Sequence, residues 1–311
     1  MNKLTKYGLT ALAGSLVATS VSAGELSVSG GWSWSYDSAD SDEVSGNPMS
    51  MGNSVSFSGS GETDQGWTAT YAMELDHGFN GFDDQSLSLD MGEAGKLVFS
   101  GASVTGSGIH MVNDIVPAAD TPVYSMTDSA TAYGIARGAG ATGNLGYTVT
   151  FGDVTASAEM MKGNGTDRTY GVKYTGVENF TLVAGMGDIN TGAVAGDTQE
   201  RTWGAKYTIP GANLTLAYQQ TDIDYPGAGS ADEDGTHVGA SFAVNDDLTV
   251  SYAQQTVDIT GKGEDETNAG FGVSYSMGSM SVAAYAGKTD NGNGVSSADD
   301  AGKGITLSIA F

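Results

Sequence analysis

The 311-residue chain contains no cysteine, so no disulfide framework can support its fold. Proline is also scarce, at five residues, whereas glycine occurs 47 times. Few prolines and many glycines are typical of a chain with many strands and open turns rather than helices. The three histidines, His77, His110 and His237, lie at no ligand spacing from one another, so no metal or catalytic histidine motif can be recognised.

Basic residues are few as well. Twelve lysines and arginines stand against 37 acidic residues, and the formal net charge is −25 at pH 7. Such acidity argues against nucleic acid as a partner, because the phosphate backbone binds basic surfaces. The excess of carboxylates instead favours soluble surface loops and the attraction of cations.

Long hydrophobic runs are missing too. Residues 1–23 carry Lys3 and Lys6, then a short apolar stretch, then small residues up to Ala23. This pattern predicts a removable signal peptide, since the apolar stretch falls short of the roughly 20 residues that a membrane anchor needs. No later segment reaches the length and apolarity of a transmembrane helix, but strands that cross a membrane give only weak hydropathy, so a membrane location stays open.

What the chain does have is strict alternation, most clearly in residues 302–311. Ile305, Leu307, Ile309 and Phe311 share one parity, and small or polar residues occupy the other. Successive side chains of a strand point to opposite faces, so the large apolar set lies on one face. A water-soluble edge strand would rarely end on a bare apolar face, whereas a strand between lipid and a wet lumen would look like this.

The same pattern recurs upstream. Alternating runs end on an aromatic residue followed by a short turn, and these aromatics lie 33 to 36 residues apart from Tyr174 to Phe311. Each repeat is therefore a hairpin with one short turn and one long acidic loop, an asymmetry expected of an outer-membrane barrel. We predict an all-β fold over residues 24–311, a transmembrane antiparallel β-barrel of about 16 strands.

The aromatic residues are predicted to form a girdle on the short-turn, periplasmic side, where rings gather at the boundary between hydrocarbon and water. A soluble β-sandwich is the alternative explanation, but it would not confine its aromatics to one end of every second strand. The girdle residues are Phe151, Tyr174, Tyr207, Phe242, Tyr275 and Phe311.

Residues 102–143 interrupt the alternation. This is the longest irregular stretch of the chain, and it contains Pro117 and Pro122. A loop of this length inside a compact β protein is either functional or disordered.

The chain resembles the general diffusion porins of Gram-negative bacteria over essentially all of residues 24–311. The shared features are the signal peptide, the strand number, the long third loop and the terminal Phe311. The resemblance implies an outer-membrane homotrimer in contact with lipid and lipopolysaccharide. It also implies that residues 102–143 fold into the lumen as a constriction loop, and that the outer-membrane assembly machinery reads Phe311. The chain departs from many relatives in being poor in arginine, where a dense basic ladder usually faces the acidic third loop.

Parity selects candidates for the pore constriction. A lysine or arginine on the lipid face near mid-bilayer costs about 2–4 kcal/mol, so charged side chains of the wall are assigned to the lumen. Acidic residues of the irregular stretch could face them and set up a transverse field that orients dipolar solutes. The wall candidates are Lys96, Lys173, Lys206 and Glu74, and the loop candidates are Asp114, Asp120 and Asp128.

No constellation of residues indicates catalysis or a cofactor. Residues 138–143 spell GxGxxG, but no βαβ unit surrounds them, and no serine can be distinguished as a nucleophile. Acidic clusters in the long loops could hold Ca²⁺ or Mg²⁺. None has the spacing of a known calcium loop, so solvated surface charge is the other explanation. The clusters are Asp37, Asp40, Asp42 and Glu43; Asp232, Glu233 and Asp234; Glu264, Asp265 and Glu266; and Asp299 and Asp300.

Two functions are compatible with these observations. The first is a water-filled channel for passive diffusion of small hydrophilic solutes and ions, with a preference for cations. The alternative is an exported acidic surface protein for adhesion or structure, with or without bound calcium. Repeated GGxGxD turns, expected of such a calcium-loaded protein, do not occur in the chain.

Overall fold

The computed structural model describes residues 26–39, 48–76, 82–101, 105–113, 115–117, 143–162, 166–189, 197–227 and 231–311. The predicted signal peptide, residues 1–23, lies outside the described residues. So does most of the predicted constriction loop, residues 102–143.

Within these ranges the chain forms sixteen β-strands and three short 3-10 helices. The strands are β1 (Leu26–Ala39), β2 (Met49–Glu62), β3 (Thr68–Asp76), β4 (Phe82–Asp90), β5 (Lys96–Ser100), β6 (Asn144–Phe151), β7 (Val154–Lys162), β8 (Thr166–Val177), β9 (Phe180–Ile189), β10 (Thr198–Ile209), β11 (Leu214–Asp224), β12 (Glu233–Ala243), β13 (Leu248–Ile259), β14 (Glu266–Met277), β15 (Met280–Asp290) and β16 (Asp300–Ala310). The 3-10 helices are Gly92–Ala94, Gly108–Met111 and Gly292–Gly294.

Every strand pairs antiparallel with its neighbours in sequence, and β1 pairs with β16 to close the barrel. In the closing register Trp32 lies opposite Ile309 and Tyr36 lies opposite Ile305. Directly opposed residues share a face, so the apolar parity predicted for the last strand continues on the first. The predicted sixteen-stranded antiparallel barrel is confirmed.

The two faces of the wall invert the pattern of a soluble protein. Large apolar side chains point outward and are exposed, such as Phe271 at 66% and Leu87 at 50%. On the opposite parity, Thr169, Gln255 and Asn268 are fully buried. An apolar outer surface around a polar interior is what a strand needs when lipid lies on one side and water on the other.

The strands extend further towards the long loops than the alternation indicated. Glu233 and Glu266 begin β12 and β14, and Asp300 begins β16. All three are buried on the polar face, so the prediction that they lie in solvated loops is wrong. Near this end both faces carry polar residues, and the alternation of hydrophobicity fades while the hydrogen-bonded ladder continues.

No helix in the described part of the chain is long and apolar enough to cross a membrane.

Candidate functional site

A row of glycines makes the polar face flat between β6 and β12, and part of the long third loop lies on it. We call residues 105–113 and 115–117 the docked segment. A Cβ built on Gly185 would lie 2.7 Å from Val112 Cγ2, and one on Gly239 would lie 2.5 Å from Val116 Cγ1. Side chains at these wall positions would occupy the space of the docked segment, so glycine is required for its close approach.

Apolar side chains anchor the docked segment. Ile109 and Val112 are fully buried and pack against Val183 of β9. Further along, Val116 packs against Ala217 of β11 and Ala253 of β13. Fully burying such a side chain contributes about 1.5–3 kcal/mol, so these contacts hold the segment against the wall.

Glu159 of β7 holds the start of the docked segment. Its Oε1 accepts hydrogen bonds from Thr105 N (3.2 Å) and Thr105 Oγ1 (2.8 Å). Its Oε2 lies 2.6 Å from His110 Nδ1, in a pair whose carboxylate side chain is fully buried. A carboxylate can only accept a hydrogen bond, so when Glu159 is ionised the donor in this contact is His110 Nδ1. No spacing or motif in the sequence indicates that Glu159 and His110 meet.

Hydroxyl side chains of the neighbouring wall strands accept hydrogen bonds from backbone N–H groups of the same turn. Gly108 N donates to Ser157 Oγ (2.8 Å), and Ile109 N donates to Thr169 Oγ1 (3.1 Å). These groups lie at the start of the Gly108–Met111 helix, where backbone N–H groups have no partner within the helix. Wall side chains therefore complete the hydrogen bonding of the docked segment.

Gln219 of β11 holds the second half of the segment. Its Oε1 accepts from Ile115 N (2.9 Å), while its Nε2 donates to Asn113 O (2.6 Å) and Val112 O (3.2 Å). The Nε2 group also donates to Thr202 Oγ1 at 2.8 Å. One buried amide thus ties two wall strands to three residues of the loop.

The predicted wall candidates all lie on the polar face, but the structure does not bring them together. Glu74, Lys96, Lys173 and Lys206 occupy β3, β5, β8 and β10 in turn. Among the described residues, no two of them form an ion pair with each other. Lys96 is directly opposite Asp90 of β4. The predicted loop candidates lie outside the described residues: Asp114, Asp120 and Asp128.

The two arginines that the structure describes lie on the outer face. Arg168 is opposite Met160, which is exposed on the apolar side. At the long-loop end of the barrel, Arg201 Nη1 lies 3.4 Å from both Asp222 Oδ1 and Asp224 Oδ2. Neither arginine therefore contributes positive charge to the described lumen wall.

Across the barrel from the docked segment, the wall around β1 is lined with hydroxyls. A recess of about 460 Å³ opens there, and Glu74 and Asp76 are among the residues that line it. The hydroxyl side chains of β1, β2 and β16 on this face are Ser27, Ser29, Ser33, Ser35, Ser50, Ser54, Ser56, Ser58, Ser60, Thr306 and Ser308.

The predicted girdle aromatics lie at the short-turn ends of their strands, on the outer face. Phe151 ends β6 and is 67% exposed, and Phe311 follows β16 and is 74% exposed. The other four lie one to three residues before the end of β8, β10, β12 and β14: Tyr174, Tyr207, Phe242 and Tyr275.

Among the described residues, no group of three or more histidine or acidic side chains could hold a metal ion. Of the acidic cluster in the first long loop, Asp40, Asp42 and Glu43 lie outside the described residues. Divalent cation binding at the external loops stays a prediction.

Comparison with known proteins agrees with this architecture. An anion-selective porin from Comamonas acidovorans matches with a TM-score of 0.69 and 16% identity, covering 93% of this chain and all of that chain. The trimer form of OmpT, an outer membrane protein of Vibrio cholerae, matches with a TM-score of 0.66 and 14% identity, covering 93% and 100%. A variant of the Rh. blastica porin matches with a TM-score of 0.66 and 16% identity, covering 92% of this chain and all of that chain.

No curated protein sequence matches the chain. The sequence model of the Gram-negative porin family, in contrast, matches residues 8–294. With the closed barrel and its inverted faces, this match establishes that the chain belongs to the Gram-negative porin family.

Proposed function

We propose that this outer-membrane porin is a passive channel for small hydrophilic solutes and ions, narrowed by the docked segment and selective for cations. The observation that carries the proposal is the attachment of that segment to the polar face from β6 to β12. A sixteen-stranded barrel leaves an aqueous lumen. A segment held on its inner wall removes part of that cross-section and sets the size of solute that passes.

The charges of the described polar face support the proposed cation selectivity. Glu200, Glu233 and Glu266 are buried there near the outer mouth, while the lysines that the structure describes on this face lie on β5, β8 and β10. Fixed negative charge raises the local cation concentration in a narrow aqueous space. The Comamonas acidovorans neighbour is anion-selective, and at 16% identity its likeness to this chain shows the fold alone.

The same surfaces support a homotrimer in contact with lipid and lipopolysaccharide. Large apolar side chains are exposed on the outer face of most strands of the barrel, and a trimeric form is known for the Vibrio cholerae neighbour. Apolar faces of this kind pack either against acyl chains or against a second copy. The family and the fold are those of channels without enzymatic activity.

Single-channel recording tests the proposal. Purified protein added to a planar bilayer should produce stepwise, ohmic conductance in potassium chloride, and a heated, unfolded sample should produce none. The alternative function, an exported surface protein for adhesion or structure, predicts no conductance from the folded form. A detergent-purified, heat-modifiable barrel that never conducts would refute the channel.

A further inference from the structure

A second recess lies between the docked segment and the wall, and it differs from the first in chemistry. It has a volume of about 300 Å³ and is bordered by Pro117, by hydroxyls of β12, β13 and β14, and by Tyr285 of β15. This volume is at the lower end of the roughly 300–1,000 Å³ typical of small-molecule sites. None of the described residues that line it is charged, in contrast to the recess at Glu74 and Asp76.

Tyr285 borders the recess on its β15 side, and its side chain extends along the wall away from β12, β13 and β14. Its hydroxyl donates to Asp37 of β1, two strands away. The ring reaches there over Gly304 of β16, where a built Cβ would lie 2.5 Å from Tyr285 Cζ. The hydroxyl of Tyr285 is thus held at Asp37, which fixes the side chain that bounds the recess.

The wall hydroxyls of the recess are not bonded to one another. Ser241 is directly opposite Ser251, and Thr249 is directly opposite Ser274. Elsewhere on the polar face, opposed hydroxyls do bond, as in the pair Ser27–Ser58 at 2.6 Å. The side chains at the recess therefore keep both donor and acceptor capacity for a solute.

We propose that this recess binds a neutral, polyhydroxylated solute of monosaccharide size as it passes through the channel. The ring hydroxyls of such a solute match Ser241, Thr249 and Ser251, and Tyr285 bounds the recess on its β15 side. The described lining offers a charged solute no ion pair. The inference rests on the proposed channel function, because a solute reaches the recess only through the lumen.

The test is the conductance of the native channel in potassium chloride as D-glucose is added. A binding site makes the current fall along a saturable curve. Triethylene glycol dimethyl ether, of similar mass but without hydroxyl groups, should lower the current only in proportion to viscosity. Indistinguishable curves for the two solutes would overturn the recess proposal while leaving the channel intact, whereas absence of any potassium chloride current would refute the channel itself.

Variants assign the effect to the recess. Ser251→Val removes one hydroxyl and should raise the half-saturating glucose concentration about three- to tenfold. The matched control is Ser56→Val on β2, across the barrel, which should leave the glucose curve unchanged. If Ser251→Val fails to form a heat-modifiable barrel, Ser251→Ala decides: a native glucose curve in that variant contradicts the proposal.

Discussion

Gly30 and Phe311 close the barrel by exchanging two backbone hydrogen bonds, Gly30 N to Phe311 O at 2.7 Å and Phe311 N to Gly30 O at 2.9 Å. The ring of Phe311 also lies over Gly30, since a Cβ built there would be 2.7 Å from Phe311 Cε2. The last residue of the chain thus extends the β1–β16 ladder and covers a position where only glycine leaves room. The seam of the barrel ends in this contact.

Deleting Phe311 should sharply reduce the amount of assembled barrel in the outer membrane. The deletion removes two hydrogen bonds, worth about 0.5–1.5 kcal/mol each, and an aromatic group at the membrane boundary. Gly30→Val should act through the same contact by displacing the ring. The assembled form is measured as the heat-modifiable band in outer-membrane fractions. Native amounts of this band for the truncated chain would contradict the prediction.

The barrel could be predicted from sequence because its signal is local and repeated. Ile305 and Tyr36 fall on the apolar parity of their own strands, and parity alone assigns their face. The docking of the third loop gave no such signal. Gly185 and Val112 are in contact although far apart in sequence, and a glycine on the polar parity looks the same whether it faces water or a loop.

The contact between Glu159 and His110 could not be predicted for a related reason. Each residue by itself fits a solvated lumen wall or loop, and 49 residues separate them. Strand ends were missed where polar residues occupy both faces, as at Glu233. A hydropathy pattern detects the lipid boundary rather than the end of the hydrogen-bonded ladder.

Replacing Glu159 with methionine should loosen the docked segment. The variant keeps the side-chain length but leaves the donors of Thr105 and His110 without their acceptor, which costs about 1–3 kcal/mol for each buried group. We expect larger current noise in the open channel and a higher mean conductance, with a barrel that still shows native heat modifiability.

Two further variants check that interpretation. Gly185→Val should give the same noise by a steric route, because its side chain would occupy the place of Val112. Glu178→Met changes an exposed glutamate at the short turn after β8 and should leave the current native. If both Glu159→Met and Gly185→Val record like the native channel, the docked segment does not limit the current.

The preference for cations should depend on salt. Reversal potentials in a potassium chloride gradient should indicate cation selectivity in dilute salt, because carboxylates outnumber lysines among the described residues of the polar face near the outer mouth. The Debye length falls from about 10 Å at 0.1 M to about 3 Å at 1 M, so selectivity produced at a wide mouth fades as salt rises. Selectivity that persists in concentrated salt would instead place the responsible carboxylates at the narrowest point.

Two variants that remove charges of opposite sign identify which lumen charges determine the ion selectivity. Glu74→Gln removes a lumen carboxylate on β3 and should shift the reversal potential towards anions, whereas Lys206→Gln removes a lumen cation on β10 and should shift it towards cations. Both changes nearly conserve side-chain size, so the barrel and its conductance in concentrated salt should stay close to native. If lysines line the narrowest point of the pore, their positive charge outweighs the carboxylates at the outer mouth. The native channel then prefers anions even in dilute salt. An anion preference of the native channel in dilute salt would refute cation selectivity. A large shift of the reversal potential in Lys206→Gln would then identify Lys206 as a cause of that anion preference.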